Sequence, residues 1–141
     1  MPAVSSATPE AVVVDASAIV EALLGTTLGS VARRRMRGCV LHAPAHLDAE
    51  VLSALGRLHR AGEIEATTVT AALGQLHAAP INRHALAPLL HGAWDRRGRM
   101  RLVDALYAQL ADALGALPLL STDARLDRAS PLVELISAEL R

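Results

Sequence analysis

Two acidic residues of this sequence each follow an apolar run of the kind that ends a buried β-strand. Asp15 comes directly after Val12–Val14, and Asp123 comes shortly after Leu119 and Leu120. In open parallel sheets, ligands bind beyond the carboxyl ends of the strands. Two carboxylates brought to that edge repel each other unless a cation lies between them. These two residues are therefore candidate metal ligands.

Two further acids are expected at the same edge of the sheet. Glu50 lies near the start of the helix that follows the second predicted strand, and Asp104 opens the helix before the fourth. Taken singly, each acid is better explained as a helix cap or a solvated side chain, because helix N-termini favour negative charge. The convergence of four acids from four distant segments indicates a metal site. Ligands that are all oxygen suit Mg²⁺ or Mn²⁺ rather than Zn²⁺.

The elements that must position these acids alternate along the chain. Strands are predicted near residues 12–15, 39–41, 80–82, 117–120 and 132–136, with helices or helix pairs between most of them. Ser17 is expected to cap the first helix, and Gly25 and Gly29 are expected to interrupt the pattern before a basic helix near residues 31–37. This alternation predicts an α/β fold with three layers, α/β/α, around a short, mainly parallel sheet. We expect residues 11–141 to form one domain behind a flexible leader, residues 1–10.

Composition excludes several classes of protein. With 141 residues, 52% of them hydrophobic, the chain is too apolar to be intrinsically disordered. No run resembles a membrane span, and the N-terminus does not resemble a secretory signal. The single cysteine, Cys39, forbids an internal disulfide and is expected of a protein in the reducing cytoplasm.

All 14 basic residues are arginine, and the absence of lysine removes further alternatives. A P-loop NTPase needs a lysine on the phosphates, so that class is excluded. A phosphotransfer or phosphatase domain would also need a lysine, and a second Asp at the position that Ser17 occupies. Zinc chemistry is disfavoured because Cys39 has no partner and the histidines lack ligand spacing. The histidines are interpreted as surface or partly buried polar residues.

Eight of the arginines fall in two short clusters, Arg33–Arg37 and Arg96–Arg101. The second directly precedes Asp104, so Arg97, Arg99 and Arg101 are predicted to contact a nucleic-acid backbone. The first cluster is as well explained by a solvated helix face. The roles of Glu21 and Asp112 also stay open.

Four sequence blocks together resemble a known family. V-V-V-D-A-S-A at 12–18, H-L-D-A-E-V-L-S-A-L at 46–55, V-D-A-L-Y-A-Q-L-A at 103–111 and L-L-S-T-D-A-R-L at 119–126 are similar to the PIN domain. More narrowly, they resemble the VapC-type toxin ribonucleases of toxin–antitoxin pairs. The resemblance covers about residues 11–137.

The resemblance implies a Mg²⁺- or Mn²⁺-dependent endoribonuclease that cleaves RNA with a metal-activated water. The family's acids fall on Asp15, Glu50, Asp104 and Asp123, which would be both catalytic and metal-binding. Ser121 matches the family's strand-end Thr or Ser, and we expect Ser121 and Ser17 to support the site. A small antitoxin and a second copy of the chain are the implied partners. The alternative is a non-catalytic PIN-like module that binds RNA or protein.

Overall fold

The computed structural model describes residues 7–138, which form a five-stranded sheet and seven helices. The strands are β1 (Ala11–Val14), β2 (Val40–Pro44), β3 (Ile81–His84), β4 (Leu119–Ser121) and β5 (Val133–Leu135). The helices are α1 (Ala16–Leu24), α2 (Thr27–Met36), α3 (Leu47–Arg60), α4 (Ala66–Ala78), α5 (Leu90–Asp95), α6 (Leu102–Ala113) and α7 (Ala124–Ala129). A 3₁₀ turn, Ala87–Leu89, precedes α5. The predicted α/β fold is confirmed.

The sheet is parallel throughout, in the order β3-β2-β1-β4-β5. The chain moves outward from β1 to β3 through α1–α4 and then crosses to β4 and β5 through α5–α7. Because such crossovers are right-handed, the reversal of direction places the two helical groups on opposite faces of the sheet. The reversal also makes the carboxyl ends of β1 and β4 the topological switch point, where α/β proteins bind ligands.

The centre of the sheet is buried on both faces. Val12–Val14 of β1 and Leu119 and Leu120 of β4 have no exposed surface. Continuous apolar runs of this kind are typical of parallel strands covered by helices on each side. The strand ends that carry the site are therefore held by fully packed side chains.

Helix α3 shows how the spacing of apolar residues selects one face. Leu47, Val51 and Leu55 recur every four residues, and all three are fully buried. The same spacing leaves Glu50, one residue before Val51, partly exposed at the edge of the packed face. No helix in the described part of the chain is long and apolar enough to cross a membrane.

The expected interruption at Gly29 is wrong, because this glycine lies inside α2 and is buried. A β-carbon at this position would lie 1.9 Å from the carbonyl oxygen of Glu21 on α1. Gly29 therefore permits close packing of α1 against α2, and the helix begins earlier than predicted, with Thr26 as its N-cap.

Two further details differ from the sequence predictions. The N-cap of α1 is Asp15, whose side chain accepts a hydrogen bond from the N–H of Ala18, so Ser17 is not the cap. Helix α7 was not predicted, since six residues give little periodicity. Its N-cap is Asp123. Both acids thus stand at the junction of a strand and a helix.

Of the predicted leader, residues 1–10, the first six lie outside the described residues. Within its last part, Glu10 forms an ion pair with Arg35 of α2, at 2.7 Å. Its carbonyl oxygen also accepts a hydrogen bond from the N–H of Val40. The chain is thus already held against the sheet one residue before β1 begins.

Candidate active site

A cleft of about 520 Å³ opens at the carboxyl ends of β1 and β4, and its walls are acidic. Its lining includes the carboxylates of Asp15, Glu21, Glu50, Asp104 and Asp123 and the guanidinium groups of Arg57 and Arg101. The four acids singled out in the sequence come from four separate segments, and all four line this one cleft. Five carboxylates facing two guanidinium groups leave an excess of negative charge.

Asp15 lies at the floor of the cleft, with only 6% of its surface exposed. Its Oδ1 accepts hydrogen bonds from the Ser17 hydroxyl, at 2.6 Å, and from the Ala18 N–H, at 3.0 Å. Burial raises the pKa of Asp15 above its ordinary value, and the nearby charge of Asp104 adds to the rise; hydrogen bonds from Ser121 and Ser17 oppose it. The ionised carboxylate is therefore poorly solvated and would be stabilised by a cation.

Ser17 and Ser121 connect the floor of the cleft to the end of β4. Their hydroxyl oxygens lie 3.3 Å apart, and Ser121 is fully buried. The Ser17 oxygen accepts a hydrogen bond from the Thr122 N–H, and the Ser121 oxygen accepts one from the Asp123 N–H, both at 3.0 Å. The two serines thus fix the backbone that carries Asp123 relative to Asp15.

Glu50 enters the cleft from the first turn of α3 and is held by two neighbours. The hydroxyl of Tyr107 on α6 donates a hydrogen bond to Glu50 Oε1, at 2.7 Å. Nε2 of His46 lies 3.2 Å from the same oxygen. Burial and the hydrogen bond to Glu50 raise the pKa of Tyr107, so its hydroxyl stays protonated and acts as a donor.

Asp104 and Asp123 are each turned toward an arginine. Nε of Arg101 donates to Asp104 Oδ2 at 3.0 Å, an ion pair between residues three apart at the start of α6. The Arg125 N–H donates to Asp123 Oδ1 at 2.8 Å, and the Arg125 side chain lies 3.6 Å away. The hydrogen bond to Asp104 raises the pKa of Arg101, which remains charged.

The chemistry of this donor set fits a hard divalent cation. All the candidate ligands are carboxylates, and they outnumber the local arginines. Among the described residues, the hydrogen bonds to Asp15 Oδ1 come from the Ser17 hydroxyl and the Ala18 N–H, neither of which is cationic. Within residues 7–138, no three His, Cys, Asp or Glu side chains are already arranged around a common point.

The three arginines predicted to contact nucleic acid occupy different places. Arg101 lines the acidic cleft, and it also lines, with Arg99 and Arg125, a smaller cleft of about 140 Å³ that shares Asp104 and Asp123. Arg97 lies over the ring of Trp94, 4.7 Å from its centre. The basic rim therefore adjoins the acids on one side, with Arg97 set further out.

The residues whose roles the sequence left open lie in different parts of the molecule. Glu21 lines the cleft and accepts a hydrogen bond from the Thr26 hydroxyl. Asp112 lies outside the cleft, where it is exposed and forms an ion pair with Arg96 at 3.3 Å. In the first arginine cluster, Arg35 binds Glu10 and Glu134, so its role is structural.

Sequence reasoning did not identify Tyr107, His46 or Arg57 as parts of the site. Tyr107 lies three residues after Asp104 and so shares its side of α6, and His46 lies four residues before Glu50. Helical neighbours of this spacing meet on one face, which is the signal that would have pointed to them. His46 is partly buried, as expected of the histidines, but it contacts a site carboxylate.

The chain is similar in sequence to proteins of one known family. The PIN domain family model matches residues 12–131. Ribonuclease VapC3 of Mycobacterium tuberculosis is 54% identical over 129 residues, which are 91% of this chain and 93% of that protein. Ribonuclease VapC1 of the same organism is 39% identical over 122 residues, 85% of this chain and 91% of the relative.

Two solved structures share the fold. One is the crystal structure of PAE2754 from Pyrobaculum aerophilum, with a TM-score of 0.64, 22% identity and coverage of 89% of this chain and 82% of that chain. The other is M. tuberculosis VapC20, described as a sarcin-ricin loop cleaving toxin, with a TM-score of 0.61, 21% identity and coverage of 84% and 95%. The chain belongs to the PIN-domain family, and within it to the VapC-type toxin ribonucleases.

Proposed function

We propose that this endoribonuclease cleaves RNA in the acidic cleft, with Asp15, Glu50, Asp104 and Asp123 holding Mg²⁺ or Mn²⁺. The observation that carries the proposal is the convergence of these four carboxylates, from four separate segments, at the switch point of the sheet. Carboxylate oxygens suit both ions. Since all four acids are present and face one cleft, nothing favours the alternative of a non-catalytic module.

A bound divalent ion would supply Lewis-acid polarisation of the scissile phosphate and activation of a water nucleophile. The protein's own residues supply position. Asp15 is fixed by the Ser17 hydroxyl and the Ala18 N–H, and Ser121 fixes the backbone at Asp123. These contacts keep two carboxylates in place despite their mutual repulsion.

Arginines at the rim would bind the RNA backbone. Arg99 and Arg101 line the small cleft that shares Asp104 and Asp123, so a phosphate there would lie beside the reacting position. Arg101 would exchange its ion pair with Asp104 for a phosphate when RNA and metal are bound. Arg97, over Trp94, would contact the strand further from the acids. Such contacts are sensitive to salt and largely indifferent to base sequence.

A second copy of the chain would pack on an apolar face next to the cleft. Exposed Leu90, Trp94, Leu102 and Val103 line a groove of about 540 Å³ on α5 and α6. Among residues 7–138, no Asp, Glu or Arg lines this groove, and an apolar lining of this kind suits the buried centre of an interface. A Val103→Asp variant should therefore be monomeric in size-exclusion chromatography with light scattering.

The resemblance to toxin–antitoxin ribonucleases supports a small antitoxin as the other partner. The five carboxylates of the cleft are the chemistry that a basic tail would recognise. An antitoxin carrying such a tail would compete with metal and RNA for the same cleft.

The experiment that tests the proposal measures RNA cleavage by wild type, Asp104→Asn and the control Asp95→Asn, an exposed residue outside the cleft. Cleavage should require added Mg²⁺ or Mn²⁺ and stop with EDTA. It should be lost in Asp104→Asn and retained in Asp95→Asn. Full cleavage by Asp104→Asn, or cleavage that persists in EDTA, would contradict the proposed site.

A further inference from the structure

Glu50 is held differently from the other carboxylates of the cleft. Two side chains from separate elements meet at its Oε1: the hydroxyl of Tyr107, at 2.7 Å, and Nε2 of His46, at 3.2 Å. Tyr107 is 2% exposed, so packing in the hydrophobic core fixes the position of its side chain. The rings of His46 and Tyr107 also contact each other, with centroids 4.8 Å apart. The carboxylate thus rests on a packed aromatic pair.

The hydrogen bond of His46 to the backbone of Val103 defines which ring nitrogen carries a hydrogen. Nε2 lies 2.9 Å from the carbonyl oxygen of Val103, an atom that can only accept a hydrogen bond. Nε2 therefore carries a hydrogen, which it donates to Val103 O, and its 3.2 Å approach to Glu50 Oε1 is a polar contact beside that hydrogen bond. Nδ1 is buried and has no hydrogen-bond partner among the described residues.

The hydrogen-bond donor to Glu50 is a neutral hydroxyl, in contrast to the guanidinium that binds Asp104. Arg101 places a positive charge against Asp104 and so offsets part of its attraction for a cation. The Tyr107 hydroxyl orients Glu50 without placing a positive charge against it, and the His46 ring packs beside that contact. Both contacts fall on Oε1, which leaves Oε2 as the oxygen available to a ligand in the cleft.

We infer that His46 and Tyr107 are positioning residues that fix Glu50 for metal binding, one at the N-cap of α3 and one from α6. The inference rests on the proposed function. A glutamate on a helix surface has several rotatable bonds, and ordering it on binding costs conformational entropy. Hydrogen bonds that orient a ligating carboxylate in advance reduce that cost, and their loss typically weakens metal affinity by about 10- to 100-fold.

The test compares Mn²⁺ affinity, by isothermal titration calorimetry, in wild type, Glu50→Gln, Tyr107→Phe and His46→Ala. Tyr107→Phe keeps the buried ring and removes only the hydroxyl. We expect about 10-fold weaker Mn²⁺ binding in Tyr107→Phe and His46→Ala. RNA cleavage by both should recover most of the wild-type kcat at saturating Mn²⁺, because the carboxylate itself remains.

A second variant separates positioning from a structural role. In His46→Gln, the side-chain amide offers an N–H near the position of Nε2–H, so Mn²⁺ affinity should recover relative to His46→Ala. Melting temperatures in EDTA show how far each variant affects folding, and His59→Gln, on the far end of α3, is the matched control. A purely structural role would lower the melting temperature without a specific loss of Mn²⁺ affinity or recovery by Gln.

The outcomes distinguish this inference from the proposed function. If Glu50→Gln weakens Mn²⁺ binding and Tyr107→Phe does not, the positioning role is wrong and the metal site stands. If the wild type does not bind Mn²⁺, or Glu50→Gln binds it as tightly as wild type, Glu50 is not a ligand and both fail.

Discussion

Arginine and carboxylates meet at two places in this molecule, with opposite results. At the amino-terminal edge of the sheet, Arg35 lies between Glu10 and Glu134 and joins α2 to the start of β1 and to β5. At the carboxyl edge, Arg101 pairs with Asp104, and further carboxylates crowd the same cleft. At the amino-terminal edge both carboxylates hydrogen-bond to the same guanidinium, whereas at the carboxyl edge five carboxylates face two guanidinium groups.

This difference separates stabilising charge from functional charge. Hydrogen bonds to Glu134 and Glu10 raise the pKa of Arg35, as expected when a guanidinium is well paired. In the cleft, burial raises the pKa of Asp15, so its ionised form opposes folding near neutral pH. The ionised carboxylate of Asp15 thus lowers the stability of the folded chain, and a bound cation would restore that stability.

The largest expected effect comes from removing the buried charge at the carboxyl edge. Asp15→Asn should lower the rate of RNA cleavage by at least about 100-fold, because the variant loses a ligand oxygen with its charge. Its melting temperature in EDTA should equal or exceed that of wild type, because an unfavourable buried charge is gone. A variant with normal cleavage, or one that fails to fold, would contradict this account of Asp15.

Arg35→Ala should give the reverse pattern. Loss of the guanidinium removes both ion pairs at the amino-terminal edge, so the melting temperature should fall by a few degrees. RNA cleavage at 25 °C should stay near wild type, since the cluster does not line the cleft. The matched control is Arg34→Ala, an exposed neighbour on the same helix. A large loss of cleavage by folded Arg35→Ala would show that the two edges are not independent.

Arg101→Ala makes a smaller change, within the cleft itself. Removing the ion pair at Asp104 should tighten Mn²⁺ binding by about two- to fivefold, the range expected for an exposed pair. RNA binding should weaken, and the slope of log K against log salt should fall by about one. Weaker Mn²⁺ binding in the variant would mean that Arg101 supports the metal site instead of competing for it.

The smallest effect concerns pH. Burial and the neighbouring His84 lower the pKa of His42 below its ordinary 6.5 in the folded protein. The unfolded chain therefore takes up this proton first as the pH falls, and stability present above pH 6.5 is lost below it. The contribution of Asp15 has the opposite sign, because its raised pKa favours the folded state as the pH falls.

His42→Asn should therefore flatten the decline in melting temperature below pH 6.5, and Asp15→Asn should not. The scan is made in EDTA, so that metal binding does not contribute. An unchanged pH profile for His42→Asn would show that the His42–His84 contact does not couple folding to protonation.

Sequence patterns predicted most of the elements because the main signals are local. The apolar run before Asp15 and the four-residue spacing of Leu47, Val51 and Leu55 need no tertiary information. Gly29 misled the prediction because its role depends on the backbone of Glu21, which approaches only after α1 and α2 pack. Propensity treats a glycine as an interruption, whereas packing here requires one.

The site was predictable in part for the same reason. Acids at strand ends can be located from sequence, because the switch point follows from the topology. Tyr107 was not found as a partner of Glu50, since tertiary packing brings it there from α6. His46 lies four residues before Glu50 at the start of α3, and that spacing was an available signal that was not used. Arg35 and Arg101 look alike in the sequence, and only the positions of their carboxylates assign one to stability and the other to the cleft.

Direct measurement of metal binding tests the central claim, that the excess carboxylates at the carboxyl edge form a cation site. Mn²⁺ is titrated calorimetrically into metal-free wild type, Asp15→Asn, Asp104→Asn and the control Asp48→Asn, whose carboxylate pairs with Arg83 outside the cleft. We expect wild type and Asp48→Asn to bind Mn²⁺ equally and both cleft variants to bind it at least about 10-fold more weakly. Equal binding by all four proteins, or none by wild type, would contradict the claim.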